Sequence, residues 1–232
     1  YWNPAGLTGI NSNIQLGAMH SEYFAGIAKY DYGALAFKVD TASAIGISLV
    51  RFGVDGIPNT TDLIDTEGRI NYDRVTSFSV ADYGFLLSYA RKMKIPGLRV
   101  GANAKVIYRQ VGDMAKAWGF GLDFGAQYNY NGWRLGLMGR DITTTFNAWS
   151  YSFSDRMKEV WTLTGNEIPE NSVEITLPKI ILAIGRKHEF KNQISLLGEV
   201  NLDFSTDGKR NVLVSANPVS IDPHLGLETG YK

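Results

Sequence analysis

Between Trp118 and Tyr128 apolar residues alternate one for one with small or polar residues, and no other feature restricts the fold of this chain as sharply. Successive side chains of a strand point to opposite faces of a sheet. Trp118, Phe120, Leu122, Phe124, Ala126 and Tyr128 therefore share one face, and Gly119, Gly121, Asp123, Gly125 and Gln127 share the other. The preceding segment repeats the pattern, with Leu98, Val100, Ala102, Ala104, Val106 and Tyr108 opposite Arg99, Gly101, Asn103, Lys105, Ile107 and Arg109. It recurs with Trp133, Leu135 and Leu137 against Arg134, Gly136 and Arg140, then from Gln193 to Asp203 and from Ile221 to Tyr231. Less regular strands fit near 14–18, 35–39, 45–49 and 81–89. From Val173 to Gly185 the phase slips beside Pro178 and Lys179, which predicts a bulge.

Alternation also suits a soluble sandwich, so the connections carry the choice of architecture. Tight links are expected near Val39–Ser43, Lys94–Gly97, Asn129–Gly132 and Lys187–Asn192. Longer ones are expected over Asp55–Arg74, Val111–Ala117, Thr143–Ser172 and Phe204–Ser220. Strict alternation of short and long links is the signature of an up-and-down barrel, whose turns on one side of a membrane are short and whose loops on the other are long. Strands of roughly 9–13 residues suit a tilted membrane crossing. Tyr128, Tyr130 and Trp133 gather at one short turn, with Tyr108 and Trp118 toward the other end, as two interfacial girdles would. The expected fold is thus all-β: one antiparallel, up-and-down transmembrane β-barrel domain over 1–232, with about ten strands and a lumenal or periplasmic segment over 1–12.

Composition narrows the chemistry. The 23 basic and 23 acidic residues balance, so no net field points to nucleic acid. Cysteine is absent, which removes disulfides, thiol catalysis and cysteine-type zinc sites. His20, His188 and His224 are the only imidazoles, and none stands in a nucleophile motif. The glycines at 119, 121 and 125 lack the spacing and the following helix of a dinucleotide fingerprint and are expected to make room inside the sheet. Asp62, Asp65, Glu67 and Asp73 do not follow calcium-loop spacing and read as solvated loop charge. No enzyme activity, cofactor or metal is expected.

Several phrases resemble a known family. The opening Tyr1-Trp2-Asn3-Pro4-Ala5-Gly6-Leu7 resembles the Asn-Pro-Ala-Gly start of FadL-like barrels, in particular the PorV/PorQ family of the Bacteroidota type IX secretion system. Phe78-Ser79-Val80-Ala81-Asp82-Tyr83, the run from Arg140 to Trp149, and Asp207-Gly208-Lys209-Arg210-Asn211 with Ile221-Asp222-Pro223 are similar to PorV-type sequences. The resemblance implies a FadL-like barrel in the bacterial outer membrane, with strands beyond the C-terminal end of this chain and an N-terminal segment entering the lumen. It also implies partners: outer-membrane lipid, and cargo or other secretion-system proteins. The alternative it leaves is a FadL-like transporter of hydrophobic small molecules.

Two sets of residues are expected to carry function. Arg99, Asn103, Lys105, Arg109, Asp123, Gln127, Arg134, Arg140, Glu199, Asp203, Asp222 and Glu228 should line the lumen, as a polar groove or an ion-paired plug. Phe146, Trp149, Tyr151, Phe153 and Trp161 make the stretch from Thr143 to Ser172 too aromatic for a disordered tract, so they are expected to bind a protein partner outside the cell.

Overall fold

The computed structural model describes residues 2–65, 67–190 and 194–231. It is all-β and antiparallel, with strands β1 (Ile14–Tyr23), β2 (Ala28–Lys38), β3 (Ser43–Asn59), β4 (Thr76–Lys92), β5 (Leu98–Val111), β6 (Ala115–Tyr130) and β7 (Trp133–Arg140). They are followed by β8 (Thr145–Tyr151), helix α1 (Asp155–Leu163), β9 (Ser172–Thr176), β10 (Lys179–Glu189), β11 (Ile194–Ser205) and β12 (Ser220–Tyr231). A 3-10 helix over Pro4–Gly9 precedes them and another spans Tyr72–Arg74. Each strand pairs with its sequence neighbour along the path β1-β2-β3-β4-β5-β6-β7-β10-β11-β12, and the sheet does not close β1 onto β12. Pro223 has no backbone N–H to give a ladder and sits in β12, an edge strand.

β8 and β9 prolong β7 and β10 rather than adding width. β6 pairs with β7 through Phe124–Tyr130 and with β8 through Ala115–Phe120, so one edge of β6 is shared by two consecutive strands. Between them Asp141 (φ 55°) and Thr144 (φ 60°) take left-handed conformations, which are strained for a β-branched residue. The partner strand breaks opposite, between Thr176 and Lys179, where the phase slip beside Pro178 lies.

The connections depart from strict alternation. The link over 112–114 is a tight turn, not the long loop expected across Val111–Ala117, because β5 and β6 run on in register until Val111 faces Ala115. The stretch from Thr143 to Ser172 is likewise not one loop: β8 occupies its first part and α1 its middle. The strained break at 141–144 separates β8 from the phase of β7, which hides its own alternation. Long links remain over 60–75, 152–171 and 206–219, all at one end of the sheet. Among the described residues the other end carries short ones over 39–42, 93–97 and 131–132, and the Phe190 N–H donates to the Ile194 carbonyl at 2.8 Å where β10 and β11 meet. At the tightest, Asn131 (φ 48°) and Gly132 (φ 80°) both adopt positive φ, as a two-residue hairpin turn matched to strand twist requires. Strands are also longer than expected, reaching 17 residues in β3 and β4, since pairing extends well into the long-loop end.

Burial is inverted relative to a water-soluble sheet. In β6 the buried positions are Ala115, Ala117, Gly119, Gly121, Asp123 and Gly125, whereas Trp118, Phe120, Leu122 and Phe124 are 51, 62, 45 and 40 % exposed. The first 3-10 helix lies on the former face, across β3 to β6, and defines it as the inner one. Asn3 caps this helix by accepting from the Ala5 N–H at 3.0 Å. Its Nδ2 donates to the carbonyls of Leu137 (3.0 Å) and Ala126 (3.3 Å), tying the segment to β6 and β7. Pro4 stands at the start of the helix, where its missing N–H costs nothing. Close approach is possible because a Cβ on Gly101 would stand 2.7 Å from the Ala5 nitrogen, and one on Gly125 would overlap Asn3 Oδ1.

Candidate functional site

Cross-strand partners share a face, and the register places all twelve residues expected to line a lumen on the inner face. Gly125 faces both Gly101 and Met138, which fixes the parity of β5 and β7. Met138 faces Ile181, Ile181 faces Asp203, and Asp203 faces Asp222, which carries that parity to β12. The structure divides the twelve into three groups and leaves Glu228 exposed near the end of β12.

The first group surrounds Lys105. Its Nζ lies 2.7 Å from Asp123 Oδ1 and 2.6 Å from Asp141 Oδ1, and Asn103 donates to Asp123 Oδ2 at 3.3 Å. Asp141 also accepts from the Thr145 hydroxyl. The Asp141 N–H donates to Asp123 (3.0 Å), and the Ile142 N–H donates to the Leu122 carbonyl (3.0 Å). These bonds hold the strained turn against β6 at the point where the ladder is interrupted, so the cluster over-determines the break. Gly121 admits it, since a Cβ there would overlap Thr145 Oγ1 and approach Lys105 Cε to 2.7 Å. Asp141 and Thr145 were not anticipated as site residues. Extending the alternation backward from Trp149 would have put Thr145 and Asn147 inward.

The second group lies toward the long-loop end. Arg109 bridges Asp82 (3.0 Å) and Glu174 (2.8 Å), its guanidinium sits 4.9 Å from the Trp149 ring centre, and Trp149 Nε1 donates to Glu174 at 2.9 Å. From there rings follow one another outward: Trp149 to Tyr151 at 6.0 Å, Tyr151 to Phe153 at 5.7 Å, and Phe153 to Trp161 of α1 at 4.9 Å. Four of the five aromatic residues expected to meet a partner thus pack on one another, half-buried, and secure α1 to β8. The fifth, Phe146, points to the outer face, where it helps line an apolar groove of about 610 Å³ with Ile47, Phe85, Leu87, Phe120 and Leu122.

The third group borders an inner cavity of about 910 Å³ nearer the short-turn end. Arg99, Gln127, Arg134, Arg140, Glu199 and Asp203 line it, with Trp2, Asn129, Met138, Lys179, Ile181, Asn201 and His224. Lys179 pairs with Asp203 at 2.5 Å. His224 stands 3.5 Å from Asp222 and 3.8 Å from Asp203, and the guanidinium of Arg140 lies 5.7 Å from the Trp2 ring centre.

At the long-loop end, α1 buries none of its residues. Arg156 anchors it by donating to the Ile64 carbonyl at 3.0 Å and approaching Asp62 at 3.5 Å. Ser154 caps it, accepting from Met157 N at 3.2 Å. Asp65 accepts from the backbone N–H and Nε of Arg69, both at 2.9 Å, and these bonds hold its carboxyl below the ordinary range. This end exposes Leu213 of its last link (80 %), Leu163 of α1 (76 %) and Tyr72 of the second 3-10 helix (75 %).

The chain matches no protein-family model and no curated protein.

Proposed function

We propose that this chain forms the wall of an outer-membrane β-barrel that catalyses no reaction. In this reading it serves in, or beside, the type IX secretion system and binds cargo or translocon proteins through its long-loop end. The outer face carries the membrane part of the proposal. Tyr83, Tyr108 and Trp118 stand in one cross-strand row, with ring centres 6.1 and 4.7 Å apart. Tyr128, Tyr130 and Trp133 form a second group at the short-turn end, and Trp133 stacks under Arg186 at 4.9 Å. Along β6 the ten residue steps from Trp118 to Tyr128 extend about 33 Å, or roughly 24 Å after a ~45° tilt, which is the height of an outer-membrane apolar band. Between the rows lie Leu87, Leu122, Leu135, Leu182 and Ile184, all at least 42 % exposed. Over the seven adjacent positions from β3 to β11, about 4.8 Å apart, the band covers roughly 800 Å². Soluble monomers rarely expose a patch beyond about 300–600 Å².

The secretion role rests on the resemblance and on the exposed apolar side chains of α1 and the long loops, which suit a protein partner. Purification of the tagged protein from native membranes tests it, with residues 155–163 replaced by a glycine-serine link so that β8 stays paired to β6. The expected outcome is an intact sheet and loss of co-purifying proteins. An unchanged protein profile sinks the role while leaving the membrane reading standing. The transporter alternative has a ligand-sized inner cavity in its favour, but the polar lining of that cavity speaks against a hydrocarbon cargo.

A further inference from the structure

We infer that the inner cavity is a binding site for a small, soluble organic anion, with Arg99 and Arg134 holding its carboxylate or phosphate and Glu199 taking hydrogen bonds from its other end. The inference does not depend on the secretion role. Among the described residues, the lining cations differ in what occupies them. Lys179 is paired with Asp203, and Arg140 sits over Trp2. Arg99 and Arg134 hold neither an ion pair nor a hydrogen bond among those residues, and the same is true of Glu199. Elsewhere on this face charges are spent on each other, as around Lys105 and Arg109. A cavity wall that leaves two guanidiniums and one carboxylate unspent is set for charges the protein does not supply.

The register explains why these groups do not neutralise one another. Arg99 faces Gln127, Gln127 faces Gly136, and one row away Asn129 faces Arg134. The two arginines therefore flank a pair of carboxamides on the strand between them, and both border the same cavity. Arg134 faces Gly185, and Gly185 faces Glu199. Two strand spacings, about 10 Å, separate the Arg134 and Glu199 backbones, and the residue between them has no side chain. The Glu199 stem leans into the room Gly185 leaves, where a Cβ would stand 3.6 Å from its Cβ and Cγ, and Arg134 and Glu199 form the positive and negative walls of a slot along the cavity.

Guanidinium forks match the two oxygens of a carboxylate or phosphate. Glu199 repels a second anionic group and accepts from a hydroxyl or an ammonium. Gln127, Asn129 and Asn201 add donors and acceptors along the slot. A phosphorylated sugar has this polarity and fits within about 910 Å³.

The test is calorimetric titration of the purified full chain in detergent with glucose 6-phosphate, glucose and inorganic phosphate. The site predicts a one-site isotherm for glucose 6-phosphate, displacement by inorganic phosphate but not by chloride at equal concentration, and no heat of binding from glucose. Arg99→Gln with Arg134→Gln should weaken binding at least tenfold. Arg186→Gln, on the outer face, should leave it unchanged. The wild-type displacement arm keeps the idea falsifiable should the double variant not fold. Equal affinity for glucose and glucose 6-phosphate overturns it. So does binding of phosphatidic acid doped into the micelles without binding of glucose 6-phosphate, which would assign the arginines to a lipid headgroup. Because no protein partner is present in this titration, its outcome is separable from that of the secretion role.

Discussion

The two faces of β6 obey opposite rules although they alternate along the same sixteen residues. Outward, Trp118, Phe120, Leu122 and Phe124 keep large apolar surface uncovered. Inward, glycines and alanines make room for the capped Asn3–Pro4 segment at one level and for Thr145 and Lys105 at another. The inner face is thus held by hydrogen bonds and ion pairs across close backbone approaches. The outer face, in the membrane reading proposed above, needs only a solvent as apolar as itself. On that reading, substitutions on the two faces should fail for different reasons and in different media.

The largest expected effect lies inward. Lys105→Met leaves the carboxylates of Asp123 and Asp141 facing each other with side chains only 6 and 15 % exposed. Removing one partner of a buried ion cluster costs about 3–5 kcal/mol, so urea unfolding should report a loss of that order in micelles and bilayers alike. Lys105→Met with Asp123→Asn should recover part of it. A loss under about 1 kcal/mol would mean that the cluster does not hold the break at 141–144.

Leu122→Arg comes next and separates the media. A charge at the middle of a lipid-facing band costs about 2–4 kcal/mol, whereas on a water-facing sheet the same exposed position should tolerate it within about 0.5 kcal/mol. Refolding into lipid vesicles, scored by equilibrium unfolding, distinguishes these. An unperturbed Leu122→Arg beside a damaged Gln127→Leu would show that the faces have been assigned in reverse.

How much of this was legible before the structure follows from the same contrast. The outward residues of β5, β6, β7 and β11 are apolar at period two, interrupted only by small residues such as Ala102, Ala104, Gly139 and Gly198, so their face could be read directly. The inward order could not, because what sits over a glycine depends on a segment remote in sequence. Gly101 and Gly125 make room for Asn3 to Ala5, about a hundred residues away, and nothing local marks them as different from Gly17. The break after Arg140 was invisible for a related reason. It exists because Asp123 and Lys105, on other strands, hold Asp141 in place, and once the phase is lost there β8 reads as loop. The five aromatics of 146–161 stand out in the sequence, but composition could not say that four of them would stack on one another while Phe146 turned outward. The cavity was half legible: parity set Arg99, Arg134 and Glu199 on one face, and only register showed Gly185 between two of them.

The glycine contrast gives a third prediction. Gly101→Ala would force a Cβ to within 2.7 Å of backbone atoms of Pro4 and Ala5, whereas Gly17→Ala, also facing inward, meets nothing within 4 Å. Overpacking of this kind costs about 1–3 kcal/mol, and the Gly17 change should be neutral or slightly stabilising through the entropy of the unfolded chain. Proteolysis after Leu7 should accelerate in Gly101→Ala alone, because the N-terminal segment is displaced. Equal effects at the two glycines would show that the segment does not rest where Ala5 is fully buried.

The smallest effect is expected where neither face matters, in the turn over 39–42. Asp40 Oδ1 accepts from the N–H groups of Ala42 (2.6 Å) and Ser43 (2.7 Å), and these bonds, Ala42 first, hold its carboxyl below the ordinary value of 3.8. A carboxyl whose folded value is depressed contributes stability above its unfolded value, and that contribution is lost as pH falls through the folded one. Wild type should therefore lose ground to Asp40→Asn as pH drops below about 4, and the two should run parallel near neutrality, where both retain an acceptor. The side chain is fully exposed to solvent, so the difference is small and should shrink little with added salt, because short hydrogen bonds to backbone rather than distant charges create it. Urea midpoints at several pH values measure it. Parallel curves down to pH 3 would show that the turn does not prefer the charged carboxylate, and that the short-turn end, unlike the inner face, owes nothing to fixed charge.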